Sequence, residues 1–317
     1  MSFKVIDPGA MALIQDDGRK GFQHLGVTTG GPMDEHAFDW ANWLLGNTRG
    51  AAALEITYGL VVLEAQADVT IALTGADLGA SLNGKPLLPW RACQISAGDR
   101  LSFATPVSGL RAYIAMPGGI KAEPRLGSVA TVVREKVGGL DGSGQSLKRG
   151  DALQPGSPRP NALRYMPDWA VPDYGAPLLL GVIPGYQFEY FSTVQRMKFF
   201  SSEYTVTSNI DRMGYRLKGE PVICDQSGII SEGIALGAIQ IPQDGQPIVL
   251  MRDRQTIGGY PKIGCVFSMD LAKLSQRKPG DGVAFTLMDV ADAENRRALY
   301  DHWFTVRGIE AQTTAST

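Results

Sequence analysis

Short apolar runs punctuated by Gly, Pro, Asn and Asp dominate the chain. Leu54–Leu63, Val69–Leu73, Leu101–Phe103, Arg111–Met116, Leu178–Ile183, Ile248–Met251 and Val283–Leu287 are of strand length and bounded by turn formers. This predicts a mainly β protein with few helices. Asn83-Gly84, between Leu82 and Lys85, signals a type I′ hairpin, whose two central residues both need positive φ. Ala97-Gly98-Asp99 and Pro279-Gly280-Asp281 precede apolar alternation, as turns feeding strands do. One early helix is well marked: Asp34 can cap it, Phe38, Ala41, Leu44 and Leu45 repeat at helical spacing, and Gly46 stands where a left-handed residue ends a helix. A second helix is expected over about Ala291–Trp303. The remainder, Thr305–Thr317, has too little apolar content to be anchored and reads as a flexible tail.

Proline becomes frequent over Pro155–Pro177, with Asp168 and Asp173 interspersed, and this marks the boundary between two halves, 1–168 and 169–304. The halves echo one another weakly. Gly79-Ala-Ser-Leu82-Asn-Gly84 is matched by Gly214-Tyr-Arg-Leu217-Lys-Gly219, and Tyr113-Ile-Ala-Met116 before Gly118-Gly119 by Ile248-Val-Leu-Met251 before Gly258-Gly259. Two similar barrels, exchanging segments, would produce such an echo.

The chain has 317 residues, enough for a sizeable core, and a net charge of −2 with the signs mixed, so no basic face is offered to nucleic acid or to an anionic membrane surface. No apolar run approaches the roughly 18 residues of a membrane span. Cys93, Cys224 and Cys265 stand far apart without a C-x-x-C pair, and the opening MSFKVIDPGA has no basic and apolar leader pattern. The expectation is a reduced, cytoplasmic protein whose cysteines are small buried hydrophobes rather than nucleophiles.

There is no G-x-x-x-x-G-K-[ST] phosphate loop, no strand-linked G-x-G-x-x-G, no G-x-S-x-G elbow and no H-E-x-x-H. With only His24, His36 and His302, histidine chemistry and a zinc site are not expected, and no metal ligands are assigned. Three segments remain. Gly26-Val-Thr-Thr29-Gly30-Gly31-Pro32 runs into the N-terminus of the marked helix, where free N–H groups favour an anion, so Thr29, Gly30 and Gly31 form a candidate anion site. The alternative is that the glycines serve loop packing. Asp211-Arg212-Met-Gly-Tyr-Arg216 places a carboxylate and two guanidiniums within six residues. Arg212 suits a carboxylate or a developing oxyanion, or is simply paired with Asp211. The third segment, Asp253-Arg-Gln255-Thr-Ile-Gly258-Gly259-Tyr260-Pro261-Lys262, is too rich in special residues for an ordinary turn. Paired glycines admit close approach, Pro261 fixes φ, and Gln255, Tyr260 and Lys262 are suited to an amide or urea-like substrate with a nearby carboxylate. A tight structural corner is the competing reading.

Nine motifs occur in a familiar order: Gln15-Asp-Asp-Gly-Arg19, Gly30-Gly-Pro-Met-Asp34, Ala41-Asn42 with Leu44-Leu-Gly-Asn47, Leu54-Glu-Ile56, Leu73-Thr-Gly-Ala-Asp77, Gly118-Gly-Ile120, Leu126-Gly-Ser128, Asp211-Arg-Met-Gly-Tyr-Arg-Leu217 and Gln255-Thr-Ile-Gly-Gly-Tyr-Pro261. Over about residues 3 to 300 the chain resembles the biotin-dependent carboxyltransferase family of the type once called allophanate hydrolase subunit 2. That family includes the C-type chain of bacterial 5-oxoprolinase, the KipI antagonist and the matching part of urea carboxylase.

The resemblance implies two cyclophilin-like β-barrel subdomains and a B-type partner chain of the KipI or allophanate hydrolase subunit 1 kind. It also implies an A-type chain and ATP-driven opening of a lactam, 5-oxoproline, to glutamate, with ATP held mainly by partners. Biotin enters if the chain instead transfers a carboxyl group to urea or a similar acceptor, and a purely regulatory role would follow from likeness to the antagonist. Carried over by position, Asp211, Arg212 and Lys262 are expected to be catalytic, with Asp211 orienting Arg212 or acting as base. Gln255, Gly258, Gly259, Tyr260 and Arg216 are expected to bind substrate. Ile210 and Ile257 stand where hydroxyl residues are common, predicting a less polar pocket, and Arg254 adds a cation where a small residue is common.

Overall fold

In the computed structural model, residues 2–310 are described apart from 161, 162 and 227, so 311–317 of the expected tail lie outside the described residues. The chain forms two compact units. The first comprises the N-terminal residues to Lys20, Gly30–Gly175 and the chain from His302 on; the second comprises Gly21–Thr29 and Ala176–Asp301.

The first unit carries β1 (Phe3–Pro8), β2 (Met11–Gln15), α1 (Glu35–Leu44), β3 (Ala53–Thr57), β4 (Val61–Ala65), β5 (Val69–Asp77), β6 (Ser81–Leu82), β7 (Lys85–Pro86), β8 (Arg91–Ile95), β9 (Arg100–Ser102), β10 (Ser108–Ala115) and β11 (Ala152–Leu153). They form a six-stranded sheet in the order β11-β1-β4-β9-β6-β7 and a five-stranded sheet in the order β2-β3-β10-β5-β8. Val5, Leu63 and Leu101 from one sheet and Ile14, Ile56, Ile71 and Ile114 from the other meet in one dry core. The expected run Leu54–Leu63 is in fact two strands. Tyr58, Gly59 and Leu60 between them all have positive φ, and a Cβ on Gly59 would sit 1.9 Å from the Ala104 carbonyl oxygen, so only glycine fits. The hairpin at Asn83-Gly84 joins β6 to β7 with φ of 51° and 78°.

Helix α1 begins and ends where its capping residues stand. The Asp34 carboxylate accepts from Ala37 N at 2.9 Å, and Gly46, at φ 65°, donates to the Trp43 carbonyl at 3.0 Å. Its apolar face, Phe38, Ala41 and Leu44, packs with Ala53, Ala72 and Tyr113 of the five-stranded sheet.

The second unit carries β12 (Leu179–Pro184), α2 (Thr193–Ser201), β13 (Glu203–Ile210), β14 (Gly214–Lys218), β15 (Glu232–Gly233), β16 (Ala238–Gln240), β17 (Ile248–Leu250), β18 (Ile257–Gly258), β19 (Lys262–Val266), α3 (Ser268–Leu274), β20 (Gly282–Leu287) and the start of α4 (Val290–Glu310). Seven strands close into a barrel in the order β12-β19-β16-β17-β14-β13-β20, and β15 pairs with β18 as a separate ribbon. Alternation along β14 buries Tyr215 and Leu217 and turns Arg216 the other way. Phe199 of α2 stacks on Phe285 of β20, centroids 4.6 Å apart, with Tyr204 edge-on to the latter. The mainly β expectation holds. Closure into a hydrogen-bonded barrel is confined to the second unit, the first remaining two sheets over a shared core. Helix α4 runs seven residues beyond its expected end at Trp303, because Trp303 and Phe304 find partners in Trp40 and Trp43. No helix among the described residues is long and apolar enough to cross a membrane.

Glu55 and Tyr113 are direct cross-strand partners on β3 and β10. The fully buried Glu55 carboxylate accepts from the Tyr113 hydroxyl at 2.7 Å and from Met33 N at 2.8 Å, while the same hydroxyl accepts from Asp34 N at 2.8 Å. Burial, then the Glu55 and Asp34 charges, push the Tyr113 pKa well above its ordinary value, so it is a permanent donor. Tyr113→Phe removes the hydroxyl that accepts from Asp34 N and donates to Glu55 Oε2, leaving that oxygen with Met33 N, and is expected to lower unfolding stability by roughly 2 kcal/mol, read from the midpoint of a urea titration.

Candidate functional site

The candidate site is built on the wall of the barrel in the second unit, around the glycine-rich bend from Asp253 to Lys262. Most of the special residues of that bend have partners. Asp253 binds Arg212 through two parallel contacts, Nε to Oδ2 at 2.8 Å and a terminal guanidinium nitrogen to Oδ1 at 2.9 Å, both side chains being buried. Asp253 N also donates to the Arg212 carbonyl at 2.7 Å, so the β13–β14 turn and the bend are tied by backbone and side chain together.

Arg254 Nε donates to the Ile234 carbonyl at 3.1 Å, and burial lowers the pKa of this guanidinium to about 10, with the neighbouring Arg252 charge adding to the effect. Thr256 to Gly258 lie along the β15–β18 ribbon, where Glu232 pairs with Gly258 and Gly233 with Ile257. A Cβ on Gly258 would lie 2.5 Å from Ile234 Cδ1 and 2.9 Å from Gln240 Nε2, so a larger residue would have to displace the ends of those two side chains. The Gly259 carbonyl accepts from Ile229 N at 2.9 Å, and that of Pro261 accepts from Ile241 N at 2.9 Å.

Lys262 is buried under this ribbon, its Nζ 2.8 Å from Glu232 Oε1 and 3.5 Å from the Tyr260 carbonyl oxygen. The Glu232 carboxylate also accepts from Gln187 Nε2 at 3.0 Å. Hydrogen bonds from Lys262, then from Gln187, hold the Glu232 carboxyl below its ordinary value. The register pairs Gln240 of β16 with Lys262 of β19 after a one-residue shift, which sets the two side chains on one face of the sheet. Gln240 is 2% exposed and its Nε2 has no hydrogen-bond partner, a spare donor beside the buried ammonium group.

The segment 21–29 lines the bend's open side. Gln23 Nε2 donates to the Ile234 carbonyl at 3.0 Å and the Thr28 hydroxyl to the Arg254 carbonyl at 3.2 Å. Gln23, Thr28, Thr29, Arg254, Gln255 and Thr256 close on one another around a slot too tight for a water molecule. From Gln23 and Thr256 it continues into an open cleft of about 500 Å³ bordered by His24, Gly233 and Ile257. Ile257, 63% exposed, gives the cleft an apolar wall where a threonine would place a hydroxyl.

The structure changes several sequence expectations. Asp211 does not pair with Arg212. Its Oδ1 accepts from Met213 N at 2.7 Å and Gly214 N at 3.0 Å, closing the β13–β14 turn, and Asp253 orients Arg212 instead. Arg216 lies on the other face of β14 from the buried Tyr215 and Leu217 and reaches Asp244 at 3.5 Å, so the fork and the bend do not share it. Arg212 stands just before β14 and Lys262 at the start of β19, with β17 and β16 between those strands, about 14 Å along the wall at roughly 4.8 Å per strand step. Each is held by its own carboxylate.

The candidate anion site fails for a separate reason. The N-terminus of α1 is already filled by the protein's own acceptors, Glu55 on Met33 N, Asp34 on Ala37 N and Gln15 Oε1 on Gly31 N at 3.2 Å. Gly30 and Gly31 are buried; a Cβ on Gly30 would press on Val132 and Ala130. Thr29 instead lines the slot in the second unit. Glu232, Gln240, Gln187 and Gln23 were not identifiable as site residues, because only the tertiary fold brings them to the bend, and the pairing of Asp253 with Arg212 was not visible in the chain.

Fold and site define a class: a mainly β protein of two units, with a closed barrel whose wall carries a glycine-rich, charge-paired bend. Within that class, the chain matches the family described as carboxyltransferase domain, subdomain A and B, over residues 25–287, and it belongs to that family. It is 34% identical over 308 residues to the C-type chain of 5-oxoprolinase from Escherichia coli (strain K12), the match covering 95% of this chain and 96% of the relative. It is 33% identical to the corresponding 5-oxoprolinase chain of Haemophilus influenzae, covering 92% and 93%. Among solved structures, K. lactis urea amidolyase matches 95% of this chain with a TM-score of 0.89 and 28% identity, and this chain spans 20% of that polypeptide.

Two outcomes follow for the paired charges. Asp253→Ala removes the carboxylate that the buried Arg212 guanidinium binds through two contacts and is expected to cost about 3–5 kcal/mol of stability in chemical denaturation, whereas Asp211→Ala, at an exposed turn, costs about 1 kcal/mol. Because the folded-state pKa of Glu232 is lowered, its contribution is complete above its ordinary value of 4.5 and is lost as pH falls through the lower folded value. The stability difference between the parent and Glu232→Gln, followed by thermal melts from pH 7 to 3, is therefore expected to be constant above that value and to shrink below it.

Proposed function

We propose that this chain is the C-type component of a 5-oxoprolinase, acting with A- and B-type chains to hydrolyse the lactam of 5-oxo-L-proline to L-glutamate at the expense of ATP. The observation that carries this reading is the end-to-end match: the two 5-oxoprolinase relatives are matched over more than nine-tenths of both partners. The urea amidolyase of Saccharomyces cerevisiae, by contrast, is matched over 17% of its length.

In this reading the open cleft bordered by Gln23, Thr256 and Ile257 receives the small cyclic amide. Gln255 and the Tyr260 hydroxyl orient it, and Gly258 and Gly259 let the bend approach it closely. Lys262 supplies the cation for the substrate carboxylate or for the oxyanion formed at the amide carbon, exchanging its contact with Glu232 for one with the substrate. Gln240 offers its spare N–H to the same group. Arg212 acts as a positioning residue, since Asp253 occupies its fork, and it fixes the start of the bend. Polyphosphate does not fit the glycine-rich loop before α1, whose N–H groups are already occupied by Glu55, Asp34 and Gln15. In this reading ATP is shared with, or held mainly by, the partner chains.

The matches to urea amidolyase favour a second reading, carboxyl transfer from carboxybiotin to a small nitrogen acceptor at the same bend. Saturable binding of free biotin, weakened by substitution at Gly258, supports that reading over the first.

Reconstitution decides the matter. The chain combined with its A- and B-type partners is expected to release glutamate from 5-oxoproline only when ATP and all three chains are present. Lys262→Met should lower kcat/KM by roughly a hundredfold, and Asp211→Asn by no more than a few fold. Full glutamate release without this chain removes the proposal.

A further inference from the structure

Gly233 of β15 has no reason within the chain to be glycine. Its φ lies outside the left-handed region, and a Cβ built on it meets nothing within 4 Å. Gly26, which borders the same cleft, is different: it ends a short 3-10 turn with a φ of 80°, where glycine is favoured. A glycine inside a strand weakens that strand, and one that neither backbone conformation nor an internal neighbour requires marks a place where something else approaches closely. What Gly233 borders is the open cleft of about 500 Å³, a volume within the range of about 300–1,000 Å³ found for small-molecule sites.

The ribbon also leaves the main chain of Gly233 bare. Glu232 pairs with Gly258 and Gly233 with Ile257, and Ile234 N donates to the Thr256 carbonyl at 3.0 Å. Hydrogen-bonded and non-hydrogen-bonded pairs alternate along an antiparallel ladder, so Gly233 and Ile257 form a non-hydrogen-bonded pair whose N–H and C=O groups point outward. Neither main-chain group of Gly233 has a hydrogen-bond partner among the described residues, and the residue is exposed at the cleft.

A donor and an acceptor side by side on one extended residue have a complement in small-molecule chemistry. An amide held cis in a five-membered ring presents its N–H and C=O along one edge, which can meet such a residue through a pair of hydrogen bonds, as a neighbouring strand would. An open-chain amide is trans and turns its N–H and C=O to opposite sides, so it engages only one of the two groups. The arrangement selects a ring.

We propose that the main chain of Gly233 reads the cyclic amide: its N–H donates to the ring carbonyl, its C=O accepts from the ring N–H, and its missing side chain lets the ring reach both. This rests on the reading of the cleft as the substrate site and adds the residue that recognises the amide there. The ureido ring of biotin carries the same edge, so carboxyl transfer would use the same residue.

Calorimetric titration of the purified chain with 5-oxoproline, with the lactone of the same shape and with biotin tests this. 5-Oxoproline should bind saturably, and the lactone, whose ring oxygen replaces the N–H, at least roughly tenfold more weakly. Gly233→Val, which places a branched side chain in the cleft, should weaken 5-oxoproline roughly tenfold, and Gly233→Ala should weaken it less. Gly233→Ala should melt no lower than the parent, because alanine restricts the unfolded chain and meets open space in the folded one. The comparison of lactam with lactone on the parent chain needs no variant. Biotin binding with the same dependence on Gly233, without binding of 5-oxoproline, would remove the 5-oxoprolinase reading and support the role of Gly233. Absence of saturable binding by either ring, equal affinity for the lactone, unchanged affinity in a folded Gly233→Val chain, or a lowered melting temperature of Gly233→Ala would overturn the proposal.

Discussion

The buried ion pair between Arg212 and Asp253 is the constraint on which the bend depends. A guanidinium and a carboxylate taken out of water are tolerable only when each satisfies the other in good geometry, and here two parallel contacts and a backbone hydrogen bond do so. The pair fixes where the chain leaves β17 and enters the loop. Beyond that start the bend is held at successive points of its own: Arg254 on the Ile234 carbonyl, Gly258 against Ile234 and Gln240, and Lys262 on Glu232. An arginine that sequence alone offers as a substrate clamp is thus employed in shaping the loop that holds other polar groups.

The glycine-rich loop before α1 shows the same economy. A helix N-terminus attracts an anion, and the fold supplies one internally, the Glu55 carboxylate brought up by β3 with the Tyr113 hydroxyl beside it. What remains uncommitted is therefore informative. In the second unit it is the side chains of Gln255 and Tyr260 and the buried Gln240 N–H. In the first unit, among the described residues, Thr57 Oγ1, Trp43 Nε1 and Arg164 Nε are buried without a hydrogen-bond partner.

Much of the fold was legible in the chain. The cap at Asp34, the periodicity to Leu44 and the glycine at 46 delimited α1 to the residue, and Asn83-Gly84 gave the hairpin, because these signals are local hydrogen-bond and φ requirements. Strands such as β8 and β16 were not, since a three- to five-residue strand with mixed polarity carries no period of its own. The length of α4 was missed because Trp303 and Phe304 are held by Trp40 and Trp43, far away in sequence. At the site, Gln255, Gly258, Gly259, Tyr260 and Lys262 stood out in the chain as an unusual bend, while Asp211, Arg216, Gly30 and Gly31 were assigned work that local geometry gives to turns, surface pairs and packing.

By itself the sequence determined the β class, the family through the order of its motifs, and the places where the backbone needs glycine or a cap. Those properties depend on residues within a few positions of one another. Which charges meet was decided only by tertiary structure, because the partner of each buried cation is chosen by strand register: Asp253 for Arg212 across 41 residues, and Glu232 for Lys262 through the two-residue ribbon. A charge buried in low dielectric takes the carboxylate that the fold carries to it, and sequence adjacency, as at Asp211, gives no advantage.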